Sequence, residues 1–240
     1  MAEPKLNDQQ AKKPLVLTDK LRVYAKVVIE PIVTFLAKYK LSPDVLTVLG
    51  MLFHFLFAWF IAHGQFRVAA VAMLLLSPLD ALDGSLARKL GRKQGGFGAF
   101  LDSTLDRLAE IILFCGFIYY YWKLGDVEVT VLSFLNWRVD SSTMMLVAYL
   151  AVTGSIMVSY ARSKAESLGY ECKVGIASRV ERYALMIVLL FLNQPAILLW
   201  ILAAATYFTL VQRGFTVWRQ WIDELKADEE AEQPANVPPN

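Results

Sequence analysis

The sequence predicts an all-α integral membrane protein, with six transmembrane helices preceded by an N-terminal amphipathic interfacial helix. Three observations carry this reading. Of 240 residues, 56% are hydrophobic and 19% charged, with a mean hydropathy of +0.43, more apolar than ordinary globular chains. The apolar residues gather into runs at 43–63, 67–90, 96–122, 144–163, 181–194 and 196–216, most of them near the ~20 residues a bilayer requires. The charges between the runs fall mainly on one side.

Taken in order, residues 1–17 are polar and expected to be disordered. They contain no apolar run, so no cleavable signal peptide is expected. Over 18–40, Leu21, Tyr24, Val27, Val28, Pro31, Ile32, Phe35 and Leu36 recur near helical spacing, with Lys20, Arg22, Lys26, Lys38 and Lys40 between them. This pattern predicts a helix lying at the membrane surface with a basic wet face. Ser42-Pro43 then reads as an N-cap followed by proline at the first helical position. The six-helix domain is placed at 41–220. Its fifth run is short and is expected to borrow length from the stretch 177–183. The 123–143 connection is expected to hold a short surface helix with Trp137 at the interface. The last segment, 221–240, is acidic from Asp223 and then bears Pro234, Pro238 and Pro239, so it is expected to be disordered.

With six spans, the N-terminus, the 88–93 and 162–182 connections and the C-terminal segment share one side, which holds nearly all the loop Lys and Arg. The other side holds Arg67, Lys123 and Arg138. Positive charge marks the cytoplasmic side. A multi-pass protein of the plasma membrane with both termini cytoplasmic is therefore expected. Cys115 and Cys172 supply neither a disulfide framework nor a metal-ligand set. His54, His63, Trp200 and Trp218 read as packing residues or interface anchors.

Against this apolar background stand Asp80, Asp83, Asp102 and Asp106. A carboxylate near the middle of a transmembrane helix costs about 2.5–3.5 kcal/mol on insertion scales, so these four demand a wet cavity, a cation, or both. Asp80 and Asp83 are three residues apart and share a helix face. Gly84 and Ala87 lie about 40° and 20° from Asp80 around the helix, leaving room beside the carboxylates. Gly98, Asp102 and Asp106 repeat at four-residue spacing and form the matching face of the next helix, while Gly91, Gly95 and Gly96 let the chain turn between the two. Clustered carboxylates suit hard cations such as Mg²⁺ or Mn²⁺. No His or Cys lies near enough in sequence to suggest zinc. Such a cation points to phosphate chemistry, for which Arg88 is a suitable bidentate clamp. Intramembrane carboxylates also occur in cation and proton pathways, so a transporter is the rival from another class. A transporter would not need Gly84, Ala87, Arg88 and Gly98 at these offsets.

Asp80-x-x-Asp83-Gly84-x-x-Ala87-Arg88, nine residues, then Gly98-x-x-x-Asp102-x-x-x-Asp106 is similar to the signature of the CDP-alcohol phosphotransferases. These membrane enzymes move a phosphatidyl-type group from a CDP-linked lipid to an alcohol and release CMP. The resemblance covers roughly 40–215. It implies six spans, a homodimer and two divalent cations (Mg²⁺ or Mn²⁺) per active site. It further implies that Asp80, Asp83, Asp102 and Asp106 hold metal and that Asp106 is the general base. The CDP-linked lipid, CDP-diacylglycerol or an ether analogue, would be met by Asp80, Gly84, Ala87, Arg88 and the loop residue Gln94. Ser42-Pro43-Asp44-x-x-Thr47 resembles the family's start of its first span, which adds Pro43, Asp44 and Thr47 to the CDP-lipid contacts.

The acceptor is addressed by a second stretch, Ser159-Tyr160-Ala161-Arg162-Ser163-Lys164-Ala165-Glu166, followed by Ser178-Arg179-Val180-Glu181-Arg182. Cations beside a site expected to hold metals make sense if the acceptor brings its own phosphate. Arg179 and Arg182 are three residues apart, on one face. Lys164 and Lys173 are equally well explained as positive-inside residues. The layout resembles the branch that accepts inositol phosphate, the phosphatidylinositol phosphate and archaetidylinositol phosphate synthases. That resemblance implies acceptor contacts from Ser159, Arg162, Arg179 and Arg182, with Arg213 contributing. The chain departs from the branch's usual Glu-Arg-Pro-Glu-Arg in the last of these stretches. Glycerol-3-phosphate is the alternative anionic acceptor, as used by a phosphatidylglycerophosphate synthase. No nucleic-acid partner is expected.

Overall fold

The computed structural model describes residues 30–31, 33–35, 37–39, 42–77, 80–91 and 96–232, with backbone alone at 80, 81, 83, 84 and 230–232. The expected N-terminal tail 1–17, most of the interfacial stretch 18–40 and Gln94 lie outside the described residues. Where described, residues 30–38 are helical, and Val33 packs with Leu46, Leu82 and Leu86.

The helices are α1 (Pro43–Ala62), α2 (Phe66–Leu76), α3 (Asp80–Lys89), α4 (Phe97–Leu124), α5 (Ser141–Ser167), α6 (Arg179–Phe191) and α7 (Pro195–Glu232). By length and composition, three are suited to cross a membrane: α1, α5 and α7. At 28 residues α4 is also long enough, but it carries Asp102, Asp106, Arg107 and Glu110. The second apolar run is two helices rather than one: α2 stops at Leu76 and α3 starts at Asp80. The sequence reason is Pro78, which cannot donate a helical hydrogen bond. The fifth run begins at Arg179, two residues earlier than its apolar stretch, but stops at Phe191, so at 13 residues it gains no length.

α1 starts as its sequence dictates. Ser42 is extended at φ −71° and ψ 133°, Pro43 occupies the first turn, and the Val45 N–H closes on the Ser42 carbonyl at 3.1 Å. The Ser42 hydroxyl bonds Asp44 at 3.0 Å rather than capping the backbone.

The bundle packs α1 on α4, α4 on α5, α5 on α7 and α2 on α6. Its core is aromatic and aliphatic, built around Phe57, Ile61, Met73, Phe114, Phe117, Met144, Met186 and Leu199. Two glycines set the closest crossings. A Cβ at Gly116 would stand 2.6 Å from the Ala58 carbonyl oxygen, so α1 and α4 touch backbone to backbone. One at Gly154 would strike the Thr206 side chain, so α5 makes room there for a side chain of α7. Small residues allow this approach where lipid supplies no hydrophobic drive between helices. Outward-facing Phe55, Trp59, Leu75, Tyr149 and Val211 leave the exterior apolar.

Two regions differ from their sequence expectation. The 123–143 connection is chiefly a β-hairpin, and its short surface helix is a single exposed 3-10 turn, Ser133–Leu135, between the two strands. β1 (Glu128–Leu132) pairs antiparallel with β2 (Trp137–Asp140), through Glu128↔Asp140, Val129↔Val139 and Thr130↔Arg138. The alternation Val127-Glu128-Val129-Thr130-Val131 is strand chemistry; Val131 is buried, and Trp137 stacks on Trp200 at 5.0 Å between ring centroids. The second difference is the tail. α7 runs 38 residues to Glu232, so the segment expected to be loose from 221 is helical over its first part. Glu, Leu, Lys and Ala there are good helix formers, and extending an existing helix avoids the cost of nucleation. The segment 233–240 lies outside the described residues.

Candidate active site

A cavity of about 470 Å³ opens where α4, α5, α6 and α7 converge. One wall is α4. Asp102, Asp106 and Glu110 follow at four-residue intervals on one face and pass from exposed through half-buried to buried. All three line the cavity.

The opposite wall gathers Ser159 and Arg162 from α5, Arg179 and Arg182 from α6, and Arg213 from α7. The structure therefore brings every expected acceptor residue into one cavity with Asp102 and Asp106. Their situations differ. Arg182 is buried: its Nε and Nη2 donate to Glu110 Oε1 at 2.8 and 2.5 Å, and its Nη1 to the Ala177 carbonyl at 2.8 Å. Arg213, also buried, donates Nε to the Val174 carbonyl at 3.0 Å and Nη1 to the Val158 carbonyl. Arg162 is exposed and pairs with Glu166 at 2.8 Å. Arg179 forms an ion pair with Asp106, and its guanidinium lies 5.4 Å from the Tyr183 ring centre.

The segment between α5 and α6 is anchored from below. Beyond the Arg213 bonds, Gln220 exchanges hydrogen bonds with the Glu171 backbone at 2.9 and 2.8 Å. Tyr170 donates to Glu224 at 3.0 Å, and that bond holds the phenol above its ordinary pKa. Gly175 has φ +125° and lies so close to Thr209 that a Cβ would collide with it, which explains glycine there. Ser178 precedes α6 and bonds Glu181 in its first turn.

A smaller hollow shares Asp102, Asp106 and Arg179 and reaches Thr47 and His54 of α1. Gly98 stands beside Asp44, whose Oδ1 a Cβ would meet at 3.5 Å. The expected CDP-lipid residues Asp44 and Thr47 thus lie near the first turns of α4. Pro43, Ala87 and Arg88 line neither hollow among the described residues; Arg88 is exposed and donates to Ser85 at 3.0 Å. The side chains of Asp80 and Asp83 and the surroundings of Gly84 lie outside what the structure describes.

As to a metal, no group of three or more ligating side chains converges among the described residues. The donor set nevertheless has the right chemistry. Asp102 and Asp106 are hard oxygen donors one turn apart on the cavity wall, and α3 begins with Asp80 and Asp83, so the carboxylates fit Mg²⁺ or Mn²⁺.

Three residues at the site escaped the sequence reading. Glu110 continues the Asp102, Asp106 four-residue repeat and was findable by that signal. His54 read as packing, and nothing in the sequence links it to Tyr183; the structure bonds His54 Nε2 to the Tyr183 hydroxyl at 2.5 Å.

The model of the CDP-alcohol phosphatidyltransferase family matches residues 40–217. A phosphatidylinositol phosphate synthase of Streptomyces avermitilis is 32% identical over 238 residues, covering 92% of this chain and 91% of that protein. An archaetidylinositol phosphate synthase of Methanothermobacter thermautotrophicus is 35% identical over 198 residues, covering 80% and 89%. Among solved structures, the Mycobacterium tuberculosis phosphatidylinositol phosphate synthase with CDP-DAG bound superposes at a TM-score of 0.67 and 27% identity, covering 80% of this chain and 94% of that one. The same enzyme in complex with manganese and citrate gives 0.67 and 28%, covering 79% and 88%.

Proposed function

Because the chain belongs to the CDP-alcohol phosphatidyltransferase family, we propose that it transfers a phosphatidyl or ether-lipid group from a CDP-linked lipid to a hydroxyl of inositol phosphate, releasing CMP. The observation that carries the acceptor is the single cavity in which Asp102 and Asp106 face Ser159, Arg162 and Arg179. A neutral acceptor gives such cations nothing to bind, whereas a phosphate matches guanidinium donors in charge and geometry. The phosphatidylinositol phosphate and archaetidylinositol phosphate synthases among the relatives support the same choice.

In this reading Asp44, Thr47 and Gly98 meet the nucleotide end of the lipid donor, with Asp80, Gly84, Ala87, Arg88 and Gln94 contributing from α3 and the turn after it. Asp80, Asp83, Asp102 and Asp106 would hold two divalent cations, which when bound neutralise the donor's diphosphate and its CMP leaving group. Ser159, Arg162 and Arg179 hold the acceptor phosphate, and this positioning turns a bimolecular encounter into a local one. Asp106 accepts the proton of the acceptor hydroxyl; the oxygen then bonds to the lipid-side phosphorus as the bond to CMP breaks. Arg182 and Arg213 contribute mainly by holding the cavity wall, since their donors already serve Glu110 and backbone carbonyls. The wider arrangement in this proposal is a homodimer with six spans per chain, termini and cavity cytoplasmic, in the plasma membrane.

The test is CMP release by purified protein given CDP-diacylglycerol, Mg²⁺ or Mn²⁺, and either inositol phosphate or glycerol-3-phosphate. Release that depends on inositol phosphate is expected. Release with glycerol-3-phosphate alone would move the chain to the phosphatidylglycerophosphate reading. No release with either would remove the transferase reading and return the transporter alternative.

A further inference from the structure

His54 is 1% exposed, on α1 and away from every acceptor residue in sequence. Its Nδ1 faces the Gly50 carbonyl at 2.9 Å. A carbonyl only accepts, so Nδ1 carries the hydrogen, and in the neutral ring Nε2 is the acceptor. The Tyr183 hydroxyl therefore donates to His54 Nε2, at 2.5 Å. Tyr183 belongs to α6 and is 9% exposed. Its two rotatable side-chain bonds are thus held at the hydroxyl end by His54 and along the ring by packing.

Arg179 is one turn earlier on α6, with its guanidinium 5.4 Å from the Tyr183 ring centre, within the range where a cation is drawn to an aromatic face. The same guanidinium pairs with Asp106 on α4, and Arg179, His54, Asp102 and Asp106 border one hollow. A chain of contacts thus runs from Gly50 through His54, Tyr183 and Arg179 to Asp106, joining α1, α6 and α4. α1 packs mainly on α4, α3 and α2, and α6 mainly on α2 and α7. The buried polar bond between His54 and Tyr183 is therefore not the by-product of an extensive α1–α6 interface. A long arginine has many rotamers, and a fixed aromatic platform beneath it limits where its head can stand.

We propose that His54 and Tyr183 are positioning residues that hold Arg179 where it meets the phosphate of the acceptor, so that this buried pair sets acceptor affinity without touching either substrate. The proposal rests on the acceptor reading given above, and on Arg179 in particular.

The test uses full-length protein, with steady-state CMP release for both substrates and calorimetric binding of inositol phosphate in the absence of CDP-lipid. Tyr183→Phe keeps the ring and removes the hydroxyl. It is expected to raise the acceptor KM and the inositol phosphate Kd about threefold to tenfold, the range of one buried hydrogen bond. The KM for CDP-diacylglycerol and kcat should stay near wild type, while the thermal midpoint falls modestly because His54 Nε2 is left buried without its donor. His54→Leu should reproduce the effect, and His54→Gln, whose amide oxygen can stand in for Nε2, should restore most of it. In an Arg179→Ala background, Tyr183→Phe should change the acceptor KM no further, because the cycle then lacks the group acted upon.

An unchanged acceptor KM and Kd in Tyr183→Phe and His54→Leu would overturn the proposal. So would a parallel change in kcat and both KM values, which is the mark of a merely structural pair. Persistence of the effect in the Arg179→Ala background would overturn it as well. If His54→Leu does not fold, Tyr183→Phe and His54→Gln still decide the matter. Wild-type protein that binds inositol phosphate but releases no CMP would sink the transferase reading and leave the Kd series to judge the positioning. Wild-type protein that neither binds nor turns over inositol phosphate would sink both.

Discussion

The two walls of the cavity hold their charges by different means. On α4 the carboxylates come from one helix at one spacing, and their burial rises steadily from Asp102 through Asp106 to Glu110. On the opposite wall the arginines come from three helices, and no single repeat relates them. Arg182 and Arg213 are 1% and 3% exposed, with their donors directed at Glu110 and at the Ala177, Val158 and Val174 carbonyls. Arg162 and Arg179 have side-chain exposures of 46% and 30% and pair with carboxylates at or near the cavity surface. Positive charge in a cleft is therefore not enough to name a ligand. The buried cations shape the wall, and the reachable ones can exchange a carboxylate for a phosphate.

That contrast can be broken at either wall. The largest effect is expected from Asp106→Asn, which keeps size and removes the base. CMP release should fall about 10²–10⁴-fold, with CDP-lipid binding retained; near-normal turnover would withdraw the base assignment. Next is Arg182→Ala. It leaves Glu110 buried without its partner, so stability should drop by about 3–5 kcal/mol, read as a lower midpoint of unfolding in detergent. The double variant Arg182→Ala with Glu110→Ala should recover part of that loss; no recovery would mean that the pair is not the source.

Arg179→Ala should behave in the opposite way. The acceptor KM is expected to rise about 10- to 100-fold, as for loss of a hydrogen bond to a charged group, while the midpoint of unfolding stays put. A stability loss as large as that of Arg182→Ala would erase the distinction between the two arginines. The smallest effect is expected from Lys173→Ala. Its side chain is 71% exposed and lies 3.8 Å from Glu171, a surface pair worth at most about 1 kcal/mol. Its kinetic constants should stay within about twofold of wild type, and a clear rise in acceptor KM would add Lys173 to the binding wall.

Much of the fold was legible because the relevant signals are local. Pro43 and the run after it announce α1, whereas the fifth run shifts its start to Arg179 and ends early at Phe191, no longer than its apolar stretch. The hairpin is less legible: Glu128-Val129-Thr130-Val131-Leu132 alternates, but a strand is stable only with its partner Trp137–Asp140, and that pairing is a tertiary property. The helical tail was missed because acidic composition was weighed above propagation from the helix before it. At the site, Asp102 and Asp106 were legible by spacing, and Glu110 followed the same rule one turn further. His54 was not legible in any window of the sequence, since its partner Tyr183 is 129 residues away.

The sequence by itself determined the membrane character, the spacing of the carboxylates and the helical faces they share, and the family signature that joins them. Each depends on hydropathy or on spacing within one or two helices, and these survive without knowledge of packing. Only the tertiary structure decided which arginines are reachable. Arg179 and Arg182 share one face of the helix, and they part because α4 sets half-buried Asp106 against the first and buried Glu110 against the second. Burial and hydrogen-bond partnership are properties of the assembled bundle, and they decide whether a charge holds the protein together or is left to hold a substrate.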